Sequence, residues 1–295
     1  MDENNAINLR EKCGHFRILV IGRANAGKTT ILKKVCNSAK DPKIFSPSGK
    51  KLRLATVKGS AERGEHNIDN ELIFKSNPKF IFHDSRGFES GSVNETETVK
   101  AFIERRAASE TLSEQIHVIW YCLPTDTPRP LLEADEQFFN YSGSGKVPVI
   151  AIFTKFDGLV TTALQKLRNE GKTRREAMAD ATEVAQGMLT ADFVDQLNKM
   201  SFPPSDYVQV DDLRNEASTC IELINKTANS LNDDTLRLLF VSVQQNNIDL
   251  CILYAMKQML ESNSSSVRAS LNYTLMYFPH VWSVSLVTQI SFVPL

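Results

Sequence analysis

The chain has 295 residues, of which 42% are hydrophobic and 23% are charged. This composition is typical of a globular protein with a full core, and it excludes collagen-like, disordered and disulfide-scaffold classes. With 34 basic and 35 acidic residues the net charge is −1, so nothing indicates a nucleic-acid partner. The five cysteines lack metal-ligand spacing and predict reduced thiols. The polar, acidic N-terminus matches neither a secretory signal nor a transit peptide, so we expect a cytoplasmic protein.

Short apolar segments along the chain predict the strands of an α/β fold. They lack polar alternation, which is typical of parallel strands covered on both faces. The segments are residues 16–21, 80–82, 118–123, 147–153 and 236–241. A sixth segment, 66–74, alternates more, and the turn signal Ser76-Asn77-Pro78 follows it. That order predicts an antiparallel hairpin adding an edge to the sheet.

Helical patterns separate these segments. They cover residues 28–36, 95–108 and 131–141, a long stretch from about 161 to 230, and a last amphipathic helix from Ile248 to Met259. Pro203-Pro204 interrupts the long stretch. We therefore expect an N-terminal extension (1–15), a main domain (16–262) with a helical insertion at about 160–232, and a C-terminal tail (263–295).

The tail is uncharged from Ala269 to Leu295. Its apolar residues fall mostly on even positions and alternate with Ser and Gln, which favours a strand over a membrane span. Two interpretations stay open: the tail packs on the domain, or it contacts a membrane or a partner.

Residues 22–29, GRANAGKT, match the pattern G-x-x-x-x-G-K-[ST] between a strand and a helix, the context of a phosphate-binding loop. Gly22 and Gly27 allow backbone N–H groups to converge on phosphate oxygens. Lys28 supplies a cation between the outer phosphates, and the Thr29 hydroxyl is a candidate Mg²⁺ ligand. The candidate nucleotide-binding residues of this loop are Gly22, Arg23, Ala24, Asn25, Ala26, Gly27, Lys28, Thr29 and Thr30.

Two further motifs follow the loop in the order that nucleotide chemistry needs. Asp84-Ser85-Arg86-Gly87 ends the second apolar segment, so Asp84 is expected to support Mg²⁺ and Gly87 to sense the γ-phosphate. His83 is expected to be a hydrogen-bonded strand-end histidine rather than a general base. Between these motifs, Thr56 and Ser60 are candidates for the hydroxyl that closes on Mg²⁺.

Thr154-Lys155-Phe156-Asp157 closes the fourth apolar segment and matches the base motif [N/T]-K-x-D. A carboxylate at Asp157 accepts two hydrogen bonds from guanine, whereas adenine leaves it unpaired. Ser242 and Val243, after the predicted last strand, are candidates for a turn that contacts the base.

On these motifs the chain resembles the P-loop GTPases of the translation-factor-related class, and the stretches HDSRGFE and VIAIFTKFD resemble a fungal group of GTPase-like proteins. The resemblance implies a G domain with a six-stranded, mostly parallel sheet and helices on both faces. It also implies GTP and Mg²⁺ binding and hydrolysis of GTP to GDP.

Two departures modify this expectation. Phe88 follows Gly87, where Ras-like proteins have a glutamine that orients water, so hydrolysis is expected to be slow. Asn25 resembles the asparagine with which Era-like GTPases hold a potassium ion, so K⁺ stimulation and dimerisation across the nucleotide face are expected; alternatively, Asn25 only caps the loop. Lys28, Gly87 and Asn25 are the candidate catalytic residues. The alternative function is a non-catalytic module whose nucleotide state controls assembly or membrane docking.

Overall fold

The computed structural model describes residues 14–53, 67–85, 93–141, 147–213, 215, 218–244, 247–261 and 277–278. In these ranges the strands are β1 (Phe16–Gly22), β2 (Lys43–Phe45), β3 (Lys51–Leu52), β4 (Glu71–Phe74), β5 (Asn77–Asp84), β6 (Val118–Pro124), β7 (Val149–Thr154) and β8 (Asp206–Val210).

Helices alternate with most of the parallel strands. They are α1 (Lys28–Val35), α2 (Val93–Ala107), α3 (Glu133–Phe139), α4 (Phe156–Asn169), α5 (Arg174–Leu189), α6 (Asp195–Asn198), α7 (Ile221–Ser230), α8 (Asp234–Ser242) and α9 (Ile248–Glu261). A π-helical turn, Thr190–Val194, joins α5 to α6. The alternation of strand and helix is typical of an α/β fold.

One mixed sheet forms the centre of the molecule, in the strand order β3-β2-β4-β5-β1-β6-β7-β8. β1 lies between β5 and β6 and pairs in parallel with both, so that Val20 lies opposite Asp84 and Trp120. β6, β7 and β8 continue in parallel. The carboxyl ends of five strands therefore meet at one edge of the sheet.

The other side of the sheet is antiparallel. β4 and β5 form the predicted hairpin around the turn at Lys75 and Ser76. β4 is not the edge, because β2 and β3 extend the sheet beyond it. These strands of three and two residues are too short to give a sequence pattern. The sheet in the described residues thus has eight strands, not six.

Most of the core among the described residues lies in two apolar layers, one on each face of the sheet, and a small third cluster lies between α4 and α5. In β1, Ile18 and Val20 pack into one layer with residues of α1, α7, α8 and α9. Leu19 and Ile21 pack into the other layer with residues of α2, α4 and α5. Because both faces are covered, β1 is buried along its whole length, which explains its continuous apolar sequence.

The predicted last strand at 236–241 is wrong. These residues belong to helix α8. Asp233 caps the N-terminus of this helix by accepting hydrogen bonds from the N–H groups of Thr235 and Leu236. Residues 238–242 are all buried, so the helix has no polar face along that stretch and reads as a strand. The last parallel strand is β8, which begins two residues after Pro204.

The thiols of Cys36, Cys122, Cys220 and Cys251 are buried and not in disulfides. Among the described residues, no helix is both long enough and apolar enough to cross a bilayer. The tail lies outside the described residues apart from Tyr277 and Phe278, so its predicted strand stays a prediction.

Candidate functional site

The glycine-rich loop, residues 23–27, leaves the end of β1 in a backbone conformation that its glycines permit. Gly22 has φ +146°, and a Cβ there would lie 2.4 Å from the carbonyl oxygen of Cys122. Gly27 (φ +80°) and Asn25 (φ +58°) are both left-handed. A chain with ordinary side chains at these glycines would be strained or would push β6 away from β1.

The loop opens directly into α1, whose first residue is Lys28. The N-cap residue Gly27 has no side chain with which to cap the helix, so the first N–H groups lie at the loop and carry the positive end of the helix dipole. The Lys28 ammonium donates to the carbonyl oxygens of Gly22 at 2.9 Å and Arg23 at 3.0 Å. This combination of N–H groups and a lysine is suited to an anion.

Asp84 ends β5 beside the loop. Its Oδ1 is buried and has no hydrogen-bond partner among the described residues, and neither has the Oγ of the neighbouring Ser85. Burial raises the pKa of Asp84 to about 6, and the charge of Lys28 opposes this rise. Asp84 as a whole is half-buried, and an unpartnered carboxylate oxygen next to a lysine favours a further cation as its ligand.

The predicted base motif lies at the end of β7, two strands away from β1. Thr154 is buried, and its hydroxyl donates to the carbonyl of Ala26 at 3.1 Å. This bond ties the motif to the glycine-rich loop. Lys155 has φ +59° and precedes α4, in whose first turn Asp157 lies exposed.

The end of β6 braces this motif from the other side, which the sequence did not reveal. The Thr125 hydroxyl donates to the carbonyls of Thr154 and Lys155. Asp126 accepts from the Lys155 ammonium at 2.9 Å and approaches Gly158, where a Cβ would lie 2.5 Å from that of Asp126. Thr125 and Asp126 therefore support the left-handed turn at Lys155.

These elements surround one cavity of about 790 Å³ at the carboxyl ends of the parallel strands. Its lining includes the predicted residues Asn25, Ala26, Gly27, Lys28, Thr29, Thr30, Asp84, Thr154, Lys155 and Asp157. Residues that the prediction missed also line it, namely Ser85, Asp126, Gly158, Val210, Asp212 and Leu213. Val210 is the last residue of β8, the strand that replaces the predicted one, and Asp212 and Leu213 follow it.

Other predicted residues lie elsewhere. Arg23 does not line the cavity; its guanidinium is buried and paired with Asp135 at 2.7 Å. Gly22 and Ala24 are also absent from the lining. Ser242 and Val243 are wrong as base contacts, because Ser242 lies in α8 with its hydroxyl bonded to Leu239, and neither residue lines the cavity.

Part of the prediction concerns residues outside the described ranges. These are Thr56, Ser60, Arg86, Gly87 and Phe88. His83 is described, and it is buried, with its ring nitrogens within 3.1 Å of the Arg17 guanidinium and the carbonyl oxygen of Ile68. It is therefore the hydrogen-bonded strand-end histidine that the sequence predicts.

The residues at the loop fit a hard divalent cation. Mg²⁺ prefers oxygen ligands and accepts few of them from the protein when phosphates supply the rest. The buried, unpartnered Oδ1 of Asp84 and the exposed Thr29 line the same cavity.

A comparison with protein-family models and with curated proteins finds no match for this chain.

Proposed function

We propose that this protein binds GTP and GDP together with Mg²⁺ and hydrolyses GTP slowly. The observation that carries the proposal is that groups suited to three parts of such a ligand line one cavity. The loop and Lys28 suit phosphates, Asp84 suits a divalent cation, and Asp157 suits the hydrogen-bond donors of guanine. All three lie at the carboxyl ends of parallel strands, where α/β sheets bind their ligands.

The phosphate end of the proposed ligand lies at the start of α1. Backbone N–H groups of the loop and of the first helical turn would donate to phosphate oxygens, and the Lys28 ammonium would exchange its carbonyl partners for them. Asp84 and Thr29 would hold Mg²⁺, which neutralises charge on the outer phosphates when it is bound.

The purine end lies at β7 and β8. Asp157 is exposed at the cavity, where its carboxylate accepts hydrogen bonds from N1–H and the exocyclic amine of guanine. The methylene stem of Lys155, held by Asp126, provides an apolar surface for the ring. Adenine presents no matching pair of donors, so binding it would leave the carboxylate unpaired.

The strand order supports the proposed class, a G domain of the translation-factor-related GTPases. β4-β5-β1-β6-β7-β8 form a six-stranded unit in which only β4 runs antiparallel to its neighbour β5. β2 and β3 are then additions beyond its edge. Of the predicted insertion at about 160–232, only α4, α5 and α6 precede the last strand in this interpretation, because β8 and α7 lie in the same range.

Phe88 favours a second candidate, a nucleotide-controlled module without useful hydrolysis. A phenyl ring at this position has no hydrogen-bonding group with which to orient an attacking water. Release of phosphate over many turnovers separates the candidates. Sustained release supports the GTPase, whereas binding without release supports the module.

Base recognition is tested by Asp157→Asn. The amide can no longer accept both donors of guanine, but its NH₂ group can donate to the 2-oxo group of xanthine. We expect at least about tenfold weaker GDP binding and a gain for xanthosine diphosphate, since one lost charged hydrogen bond is about 1.5–3 kcal/mol. Asp180→Asn, which lies outside the cavity and pairs with Lys172, is the control and should leave the base preference unchanged. An unchanged preference in Asp157→Asn contradicts the proposal.

A further inference from the structure

Helix α9 has two apolar faces, of which the fold covers one. Leu250, Cys251, Tyr254 and Ala255 are buried against the core. On the opposite side an apolar surface is exposed, which we call the α9 stripe. Its residues are Ile248, Ile252, Leu253, Met256 and Leu260, with exposed fractions from 42% to 86%. At 100° per residue these positions lie across the helix from the buried ones.

The chain comes back to this helix after leaving it. Tyr277 is 7% exposed, and its ring stacks on that of Tyr254 with 6.4 Å between centroids and 28° between planes. Phe278 packs against the same core layer as α9. The described residues Tyr277 and Phe278 therefore lie on the core layer to which α9 belongs.

We propose that the segment 279–295 packs on the α9 stripe of its own molecule. The segment lies outside the described residues and contains no Asp, Glu, Lys or Arg among its 17 residues. Its apolar residues include Trp282, Val284, Leu286, Ile290 and Phe292. Extended, 17 residues span about 56 Å, whereas the 14 residues of α9 span about 21 Å. The segment is thus long enough to cover the whole stripe from its anchor at Tyr277.

A second copy of the chain fits the stripe less well. A strip about 21 Å long and about 10 Å wide has an area of about 200 Å², far below the roughly 800 Å² per partner of a stable interface. A lipid surface also fits less well, because interfacial helices carry a basic polar face. The charged residues of α9 are Asp249, Lys257 and Glu261, which sum to −1.

The experiment uses the two tryptophans of the chain. Trp120 is fully buried, and Trp282 lies in the segment. Subtracting the spectrum of Trp282→Phe from that of the full-length parent isolates the emission of Trp282. We expect this emission to be blue-shifted and protected from acrylamide, at every protein concentration and without lipid.

Two methionines give a matched pair of variants. Met256 in the stripe is 58% exposed, and Met178 on α5 is 59% exposed. Met256→Glu is expected to remove most of the blue shift and of the protection, whereas Met178→Glu leaves both unchanged. Ile252→Glu repeats the test within the stripe, and circular dichroism checks that each variant is folded.

The remaining outcomes overturn the proposal. An emission of Trp282 like that of the unfolded chain shows an uncovered stripe. Protection that disappears on dilution, together with a dimer in sedimentation, assigns the stripe to a second copy. Protection that needs phosphatidylserine vesicles assigns it to lipid. Protection that both stripe variants retain shows that the segment packs elsewhere. None of these results depends on nucleotide binding.

Discussion

Arg23 and Asp135 form a buried salt bridge, with 2.7 Å between Nη2 and Oδ2, and no part of Asp135 is exposed to solvent. The Asp135 carboxylate also accepts hydrogen bonds from the Tyr121 hydroxyl and the Leu132 N–H. The Arg23 guanidinium donates further to the carbonyls of residues 129 and 130. The pair therefore fastens the glycine-rich loop to the segment between β6 and α3, so the Arg23 side chain holds the loop in position.

Removing one partner of this pair is expected to lower the free energy of unfolding substantially. Asp135→Ala leaves a buried guanidinium without its counter-charge, which destabilises proteins by about 3–5 kcal/mol. Urea unfolding measures the loss. Asp180→Ala is the control, because Asp180 pairs with Lys172 at an exposed position and its removal should barely move the midpoint. Similar midpoints for the two variants would show that the buried pair is not an anchor.

A methyl group at Gly22 tests the junction of loop and sheet. Its Cβ would lie 2.4 Å from the Cys122 carbonyl oxygen at a φ of +146°, so Gly22→Ala is expected to lose about 1–3 kcal/mol or more. The comparison is Gly187→Ala in α5, where a Cβ meets nothing within 4 Å. That variant should gain about 0.5–1 kcal/mol of stability. The midpoints of thermal unfolding of both variants and of the parent measure these changes. A Gly22→Ala protein as stable as the parent would contradict the close approach of Gly22 to the Cys122 carbonyl.

Acid should destabilise the fold through a histidine that is buried as the neutral ring. His117 accepts from the Arg17 N–H at Nδ1 and donates from Nε2 to the Leu112 carbonyl. Burial lowers its pKa to about 4 from 6.5. Between pH 6.5 and pH 4 the unfolded chain binds a proton at this histidine and the folded chain does not. The contribution of the neutral ring to the free energy of unfolding is therefore fully present above pH 6.5 and is lost as the pH falls toward 4.

The loss from this histidine is on the order of 3 kcal/mol. His117→Gln keeps an acceptor and a donor but does not titrate. We expect the stability of the parent, measured relative to this variant in urea, to decline between pH 7 and pH 4. If the stability of the parent relative to His117→Gln stayed constant with pH, or rose on acidification, the ring would not be buried in its neutral form.

Potassium is expected to accelerate hydrolysis through Asn25, which lines the cavity with φ +58°. A cation held there neutralises charge that develops during phosphoryl transfer. We expect GTP turnover in KCl to exceed that in NaCl by about tenfold, equivalent to 1.4 kcal/mol, and Asn25→Ala to abolish the difference. If Asn25 only caps the loop, turnover is equal in both salts.

Most of the site was predictable because its residues follow strands whose sequences are unambiguous. β1, β6, β7 and residues 80–82 of β5 are apolar on both faces, so the ends of these strands, among them Gly22, Asp84 and Thr154, could be located. The salt bridge of Arg23 could not, because Asp135 is separated from it by more than a hundred residues and carries no local pattern.

The end of the sheet was predicted wrongly for a physical reason. β8 reads DYVQV, with alternating polar residues and burial, and Pro203-Pro204 before it resembles a break within a helix. Helix α8 reads as a strand because it is buried along most of its length. Period alone does not distinguish a buried helix from a buried strand. The residues that line the cavity at the end of the last strand were therefore expected at Ser242 and Val243, whereas the structure has Val210, Asp212 and Leu213 there.

The most direct measurement is calorimetric titration of the folded protein with GDP in the presence of Mg²⁺. We predict saturable binding of GDP. Equimolar ATP does not displace the GDP, and chelation of Mg²⁺ weakens its binding. In Asp84→Asn the affinity for GDP no longer depends on Mg²⁺. A folded protein that takes up no guanosine phosphate, or that exchanges it equally for ATP, contradicts the proposed function.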